Sequence, residues 1–391
     1  MCHLTLQKLD CVYLCALRGI LRELCSKKLP TRQSTQKNKI MKTMKHLLAK
    51  WGLLMLCTQS TSGQAELTNL RSIAFGSCAK QYTPQPIWDS VIAGNPDLFI
   101  FLGDNIYGDT TDMTKLRAKY QQLGAIPGYL KLRAHCPIQA TWDDHDYGLN
   151  DAGSEYSKKA ESQQVFLDFF GVSAESPRRK RSGIYHAQTY GKPGQRIQVI
   201  LLDTRYFRSP LNNIGRPKVR TEGRTGPYGI TKDPDATILG EEQWQWLEDQ
   251  LLQPAELRIV ASSIQVVSDQ HGWECWGTMP SERKRLYDLL NKTTANGVVV
   301  LSGDRHHAEI SRIEGKLPYP LYDITASGLN QRKGFSNEHN PHRIGTWYRE
   351  EHFGMILIDW ETDNPEITFQ IRDIKGRPVI QHRTLLSAIS P

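Results

Sequence analysis

The sequence predicts an α/β fold. Short apolar runs, too short for helices and rich in Val, Ile, Leu and Phe, read as buried strands. Amphipathic helical stretches lie between them, as in β–α–β units. Three of the runs also end abruptly in clustered acidic and imidazole side chains: Asp97-Leu-Phe-Ile-Phe-Leu-Gly-Asp-Asn-Ile-Tyr107, Pro137-Ile-Gln-Ala-Thr-Trp-Asp-Asp-His-Asp146 and Val298-Val-Val-Leu-Ser-Gly-Asp-Arg-His-His307. Open α/β sheets gather their ligands at the carboxyl ends of strands, so the three endings imply one shared site.

Taken in order, residues 71–78 form the first strand and 86–92 a short helix start, before the strand that ends at Asp104. Residues 112–122 read as a helix, with Leu116 and Tyr120 four apart. A loop over 147–153 leads to a helix over 154–170, whose apolar face is Val165, Phe166, Phe169 and Phe170. Strands follow at 183–188 and 196–203, the second ending in Asp203-Thr-Arg205. Residues 208–237, rich in Pro, Gly, Arg and Asn, read as a long surface loop. Its Arg216, Lys218, Arg220 and Arg224 form a solvated basic stretch or, as the alternative, help position an anionic substrate. A helix over 240–252 has an acidic first turn that suits its dipole, a strand spans 257–263, and a helix over 281–295 leads to Val298. At least two more strands lie at 354–360 and 366–372. No linker is evident after residue 66, so 66–391 reads as one domain.

The formal charge of +8 belongs to the leader. Residues 1–65 hold eleven Lys and Arg against Asp10 and Glu23, leaving the remainder with 38 basic and 39 acidic side chains. General attraction to nucleic acid is therefore not expected of the body. Residues 1–40 read as a non-native or disordered extension. Residues 41–65 have the basic start, short apolar run and small polar end of a signal peptide beginning at Met41 or Met44, which implies a secreted or periplasmic protein. The apolar run is too short to span a bilayer. Beyond the leader lie Cys78, Cys136 and Cys275; Cys136 and Cys275 either pair or stay as two buried thiols.

A lone Asp after Gly is usually a turn residue. Asp143-Asp-His-Asp146 is different, because three carboxylates in four positions repel one another unless cations neutralise them or they point apart into solvent. Joined with Gly103-Asp-Asn and Gly303-Asp-Arg-His-His, the block reads as a metal centre. Cys78 and Tyr107, taken alone, read as a small buried hydrophobe and a packed aromatic.

Phe75-Gly-Ser-Cys78, Gly103-Asp-Asn-Ile-Tyr107, Trp142-Asp-Asp-His-Asp146, Leu202-Asp-Thr-Arg205 and Ser302-Gly-Asp-Arg-His306 resemble, in order, the alkaline phosphatase D (PhoD-like) branch of the calcineurin-like metallophosphoesterases. Gln243-Trp-Gln-Trp-Leu247 is similar to a helix of that branch, and the likeness runs from about Phe75 to Ile310. An extra N-terminal β-domain found in many members has no room here, so the compact form is expected.

The resemblance implies a four-layer α/β/β/α sandwich of two mixed sheets flanked by helices. It also implies a multinuclear metal centre of Fe³⁺ and Ca²⁺, other divalent metals being alternatives. Asp104 would bridge the metals, Cys78 and Tyr107 would serve a ferric ion, and Asp143, Asp144, Asp304 and His306 would complete the set. The expected activity is hydrolysis of small phosphate mono- or diesters by a metal-activated hydroxide. Arg205 would neutralise phosphoryl oxygens or partner Asp203. His145 would contact phosphate, protonate the leaving group, or merely orient a ligand. The role of His307 stays open. A phospholipase-like diesterase and an inactive binding module of the same fold are the alternatives.

Overall fold

The computed structural model describes residues 69–217, 223–332 and 338–391. The readings for 1–65 lie outside the described residues, as do Lys218 and Arg220 of the basic loop. The chain begins with β1 (Ser72–Gly76), α1 (Ile87–Ala93), β2 (Leu98–Leu102), α2 (Met113–Gly124), α3 (Pro127–His135), β3 (Ile138–Thr141), α4 (Asp144–Tyr147) and α5 (Lys159–Phe169). It continues with β4 (His186–Tyr190), β5 (Ile197–Leu201), β6 (Asn212–Asn213), β7 (Tyr228–Gly229), α6 (Gly240–Leu251), β8 (Leu257–Ala261), α7 (Pro280–Lys292) and β9 (Val298–Ser302). The last strands are β10 (Ala308–Ile313), β11 (Leu321–Ala326), β12 (His352–Asp359), β13 (Glu366–Asp373) and β14 (Pro378–Leu385).

Two six-stranded sheets run β14-β13-β12-β1-β2-β3 and β10-β11-β9-β8-β5-β4. Both are mixed. The strands β1, β2 and β3 are mutually parallel, as are β5, β8, β9 and β11 in the other sheet. Strand periodicity explains the layering. Ile73, Phe75, Leu98, Ile100 and Leu102 face a core shared with Val199, Ile259 and Val299 of the second sheet and with Trp244, Leu247, Leu286 and Leu290 of α6 and α7. The alternate residues Ala74, Phe99 and Phe101 face a second core with Trp88, Leu116, Tyr120, Tyr129 and Phe166 from α1, α2, α3 and α5. The result is the four-layer α/β/β/α sandwich. Each such aromatic contributes about 2–3 kcal/mol by burial.

Several boundaries differ from the sequence expectation. The helix expected from 154 starts at Lys159, because Ser154 N–H is bonded to Arg208 O and the Tyr156 hydroxyl to Thr110 O. The strand expected over 183–188 is His186–Tyr190, since Gly183 and Ile184 donate their N–H groups to Gln163 and Asp203 side chains. The stretch 208–237 is not a bare surface loop: it carries the β6–β7 ribbon and buries Tyr228 and Ala236. Cys136 and Cys275 are separate buried thiols, which excludes the bridge.

Gly354 of β12 pairs with Phe75 of β1, and a Cβ there would lie 2.1 Å from the Phe75 ring. The aromatic fills the space that glycine leaves. Replacing Gly354 by Ala should cost about 1–3 kcal/mol in denaturant unfolding. Adding Phe75→Leu should recover part of that loss, so the two changes combine non-additively.

Candidate metal centre

The parallel strands deliver the site at their carboxyl ends. Cys78 follows β1, Asp104 follows β2, Asp143 and Asp144 follow β3, Arg205 follows β5, and Asp304 and His306 follow β9. Four of these residues sit in the left-handed region, with φ of 62° at Cys78, 50° at Asp104, 63° at Asp304 and 55° at His306. Such a conformation costs a non-glycine residue about 1 kcal/mol or more. It turns the chain sharply enough to aim each side chain inward at the sheet edge. Gly103 (φ 98°) makes the neighbouring turn, and a Cβ on it would meet that of Asp143 at 2.5 Å.

The side chains converge. The Cys78 thiol and the Tyr107 hydroxyl both donate to Asp104 Oδ2, each at 3.3 Å, and the same hydroxyl lies 3.2 Å from His306 Nε2. Ser327, past the end of β11, accepts from the His306 N–H at 2.8 Å and lies 3.2 Å from the Cys78 sulfur. One group of candidate ligand atoms comes from Cys78, Asp104 and His306, within 4.8 Å of one another; a second comes from Asp104, Asp144 and His145. Asp104 belongs to both. The Tyr107 and His145 rings pack with centroids 4.2 Å apart, and His145 Nδ1 lies 2.7 Å from Asp109 Oδ1.

The other acids of the Asp-Asp-His-Asp block have separate duties. Asp143 accepts from Arg205 Nε and Ser263 Oγ, each at 2.6 Å. Asp144 accepts from the N–H groups of His145 (2.9 Å) and Asp151 (2.6 Å). Asp146 points away from the cluster. It accepts from the backbone of Asp143 (2.7 Å) and Asp104 (3.2 Å), and from the Asn105 side chain, so it ties two strand ends together.

Arg205 is fully buried behind the site. Its guanidinium binds Asp143 and donates to Glu274 Oε2 at 2.5 Å, and Arg208 pairs with the other Glu274 oxygen at 2.7 Å. Its partner is thus Asp143; Asp203 meets only its backbone N–H, at 3.0 Å. His307 turns away from the cluster, toward Glu309 at 3.6 Å and the ring of Trp347.

The electrostatics call for positive charge. Burial pushes the carboxyls of Asp104, Asp143 and Asp304 up, and likewise the Cys78 thiol and the Tyr107 hydroxyl. Burial also opposes charge on Asp144, but Arg205, His145 and the Asp151 N–H outweigh it and hold this carboxyl at about 2. Against its own desolvation, His145 is raised to about 11 by Asp104, Asp144 and Asp109. The buried oxygens Asp104 Oδ1 and Asp143 Oδ2 have no hydrogen-bond partner among the described residues. Orphaned carboxylate oxygens beside a thiol, a phenol and an imidazole suit cations of the transition-metal type, so the residues present fit a metal centre.

A cavity of about 240 Å³ opens onto Asp144, His145, Asp304 and His306. It is also lined by Asp151, Arg216, Trp273, Glu274, Arg305 and Glu338. Of these, the sequence offered Arg216 in the basic loop and Arg305 inside the Gly303-to-His306 block. The rest come from irregular stretches without a recognisable spacing.

Comparison with known proteins identifies the family. Residues 73–340 match the family model described as PhoD-like phosphatase. Alkaline phosphatase D of Bacillus subtilis (strain 168) is 23% identical over 282 residues, which cover 62% of this chain and 47% of that protein. The chain therefore spans about half the length of this curated relative. A structure of PhoD covers 81% of this chain and 69% of its own, with a TM-score of 0.63 and 18% identity. The purple acid phosphatase PPD1 from yellow lupin (Lupinus luteus) seeds superposes with a TM-score of 0.52 at 12% identity, over 81% of this chain and 54% of its own. These two likenesses concern the fold. Because the family model spans every strand end that supplies the cluster, from Cys78 to His306, the chain belongs to the PhoD-like phosphatase family.

Proposed function

We propose that this protein is a metal-dependent hydrolase of phosphate mono- or diesters. The observation that carries the reading is that Asp104 falls in two groups of converging ligand atoms, one with Cys78 and His306 and one containing Asp144. One carboxylate would thus serve two cations, while His145 stays beside the second as a proton donor. Asp104, Cys78, Tyr107 and His306 would hold one cation. The thiol and phenol favour Fe³⁺ there. Asp144 and Asp304, with Asp143 behind them, offer the oxygen donors that suit Ca²⁺ or another divalent ion. When bound, the cations supply Lewis-acid charge and make a coordinated water more acidic.

The protein's own groups do the rest. His145 lines the cavity and is oriented by Asp109, so it is placed to donate a proton to an ester oxygen. Arg205 takes a positioning role instead of touching phosphate, because its guanidinium is committed to Asp143 and Glu274. The cavity admits a small ester. A full set of ligand side chains weighs against an inactive module, and nothing on the cavity wall favours a lipid headgroup. No helix of the described residues is long and apolar enough to cross a membrane. The pattern over 41–65 supports export to a secreted or periplasmic location.

Two outcomes test the reading. Dialysis against chelator should lower p-nitrophenol release from mono- or bis-p-nitrophenyl phosphate by about 100-fold or more, and added metal should restore it. Full activity in metal-free protein would sink the proposal. Replacing Asp104 by Asn should reduce kcat/KM by about 100-fold. The same change should stabilise the metal-free protein by about 1–2 kcal/mol in thermal unfolding, since an amide removes a buried charge and can donate to Asp144.

A further inference from the structure

The cavity carries a further feature that ester cleavage leaves unused. The ring of Trp273 is half-buried there, and two guanidinium groups lie over it, Arg216 at 4.8 Å and Arg305 at 5.1 Å from its centroid. The ring is fixed in place. Its Nε1 donates to Thr225 Oγ1 at 2.9 Å, and the Trp273 backbone N–H donates to His271 Nδ1 at 3.0 Å. Thr225 in turn donates to Glu338 Oε1 at 3.1 Å, and the same oxygen accepts from Arg305 Nη2 at 2.7 Å.

The two cations differ in what they have left to give. Arg305 is buried and neutralised by Glu338 and Asp304. Arg216 is exposed at the cavity rim, and no carboxylate among the described residues forms an ion pair with it. Stacking on an aromatic face holds a guanidinium in place without consuming its charge or its N–H donors. The nearby acids are already engaged: Glu274 by Arg205 and Arg208, and Asp151 by the Tyr228 hydroxyl. Arg216 is therefore an anchored cation in the same cavity that the candidate ligands Asp144, Asp304 and His306 line.

We infer that Arg216, held on Trp273, binds a second anionic group of the substrate, so that the preferred esters carry a negative charge on the leaving group as well as on the scissile phosphate. The inference rests on the phosphoesterase reading for which bond is cleaved, but not for where the second anion binds. The cavity volume of about 240 Å³ suits a small ligand.

Titration calorimetry of the full chain with two inert probes tests this. Methylphosphonate carries one anionic group and propane-1,3-bisphosphonate two, and neither has an ester bond. The bisphosphonate should bind about tenfold more tightly than the monophosphonate. Arg216→Gln should abolish that preference, Arg216→Glu should reverse it, and added salt should weaken it. Equal affinities in the unaltered protein, or a preference that survives both substitutions, would overturn the inference. Hydrolysis of mono- and bis-p-nitrophenyl phosphate, measured alongside, separates the two claims. An intact preference without hydrolysis would defeat the esterase reading alone, and hydrolysis without a preference would defeat this inference alone.

Discussion

Negative charge packed into a water-poor pocket is the constraint around which the rest of the molecule is arranged. Asp104, Asp143 and Asp144 are almost wholly buried, with a thiol and a phenol beside them. Isolated carboxylates in such a place would cost many kcal/mol, and they persist only if something positive stands close by. Two guanidinium groups meet part of that need: Arg205 covers Asp143, and Arg305 covers Asp304. No guanidinium among the described residues pairs with Asp104. The sandwich supplies the stiffness that holds these groups together, because its two cores grip both faces of β1 and β2 and leave their ends no freedom to splay.

Much of the frame was legible in the sequence. Runs such as 98–102 and 298–302 are apolar on both faces, which only a doubly covered strand requires, and Trp244 with Leu247 and Leu251 marks one face of α6. Other elements escaped. Strand β10 alternates apolar residues with Glu309 and Ser311, polar side chains that are buried by partners such as Gln265, Asn340 and Arg343, and no local pattern announces those partners. Helix α3 buries only Tyr129 and Leu132, too few to draw a stripe.

The site divides in the same way. Asp104, Asp144, Asp304 and His306 were visible because each follows a strand in a compact motif. Asp151, Trp273, Glu274 and Ser327 were not, since they reach the pocket from turns whose course depends on tertiary contacts. Arg205 was visible, but its surroundings were not. Only the fold reveals that its charge is spent on Asp143 and Glu274, and only the fold shows the buried Asp146 tying strand ends together instead of joining the cluster.

The left-handed backbone at Cys78, Asp104, Asp304 and His306 has a bearing on any effort to make this molecule sturdier. Glycine relaxes in that conformation, so a search guided by heat tolerance alone would be drawn to these four positions. Every such gain would delete a donor atom from the pocket. Robustness and chemistry compete here residue by residue, and stabilising changes belong in the outer helices, away from the strand tips.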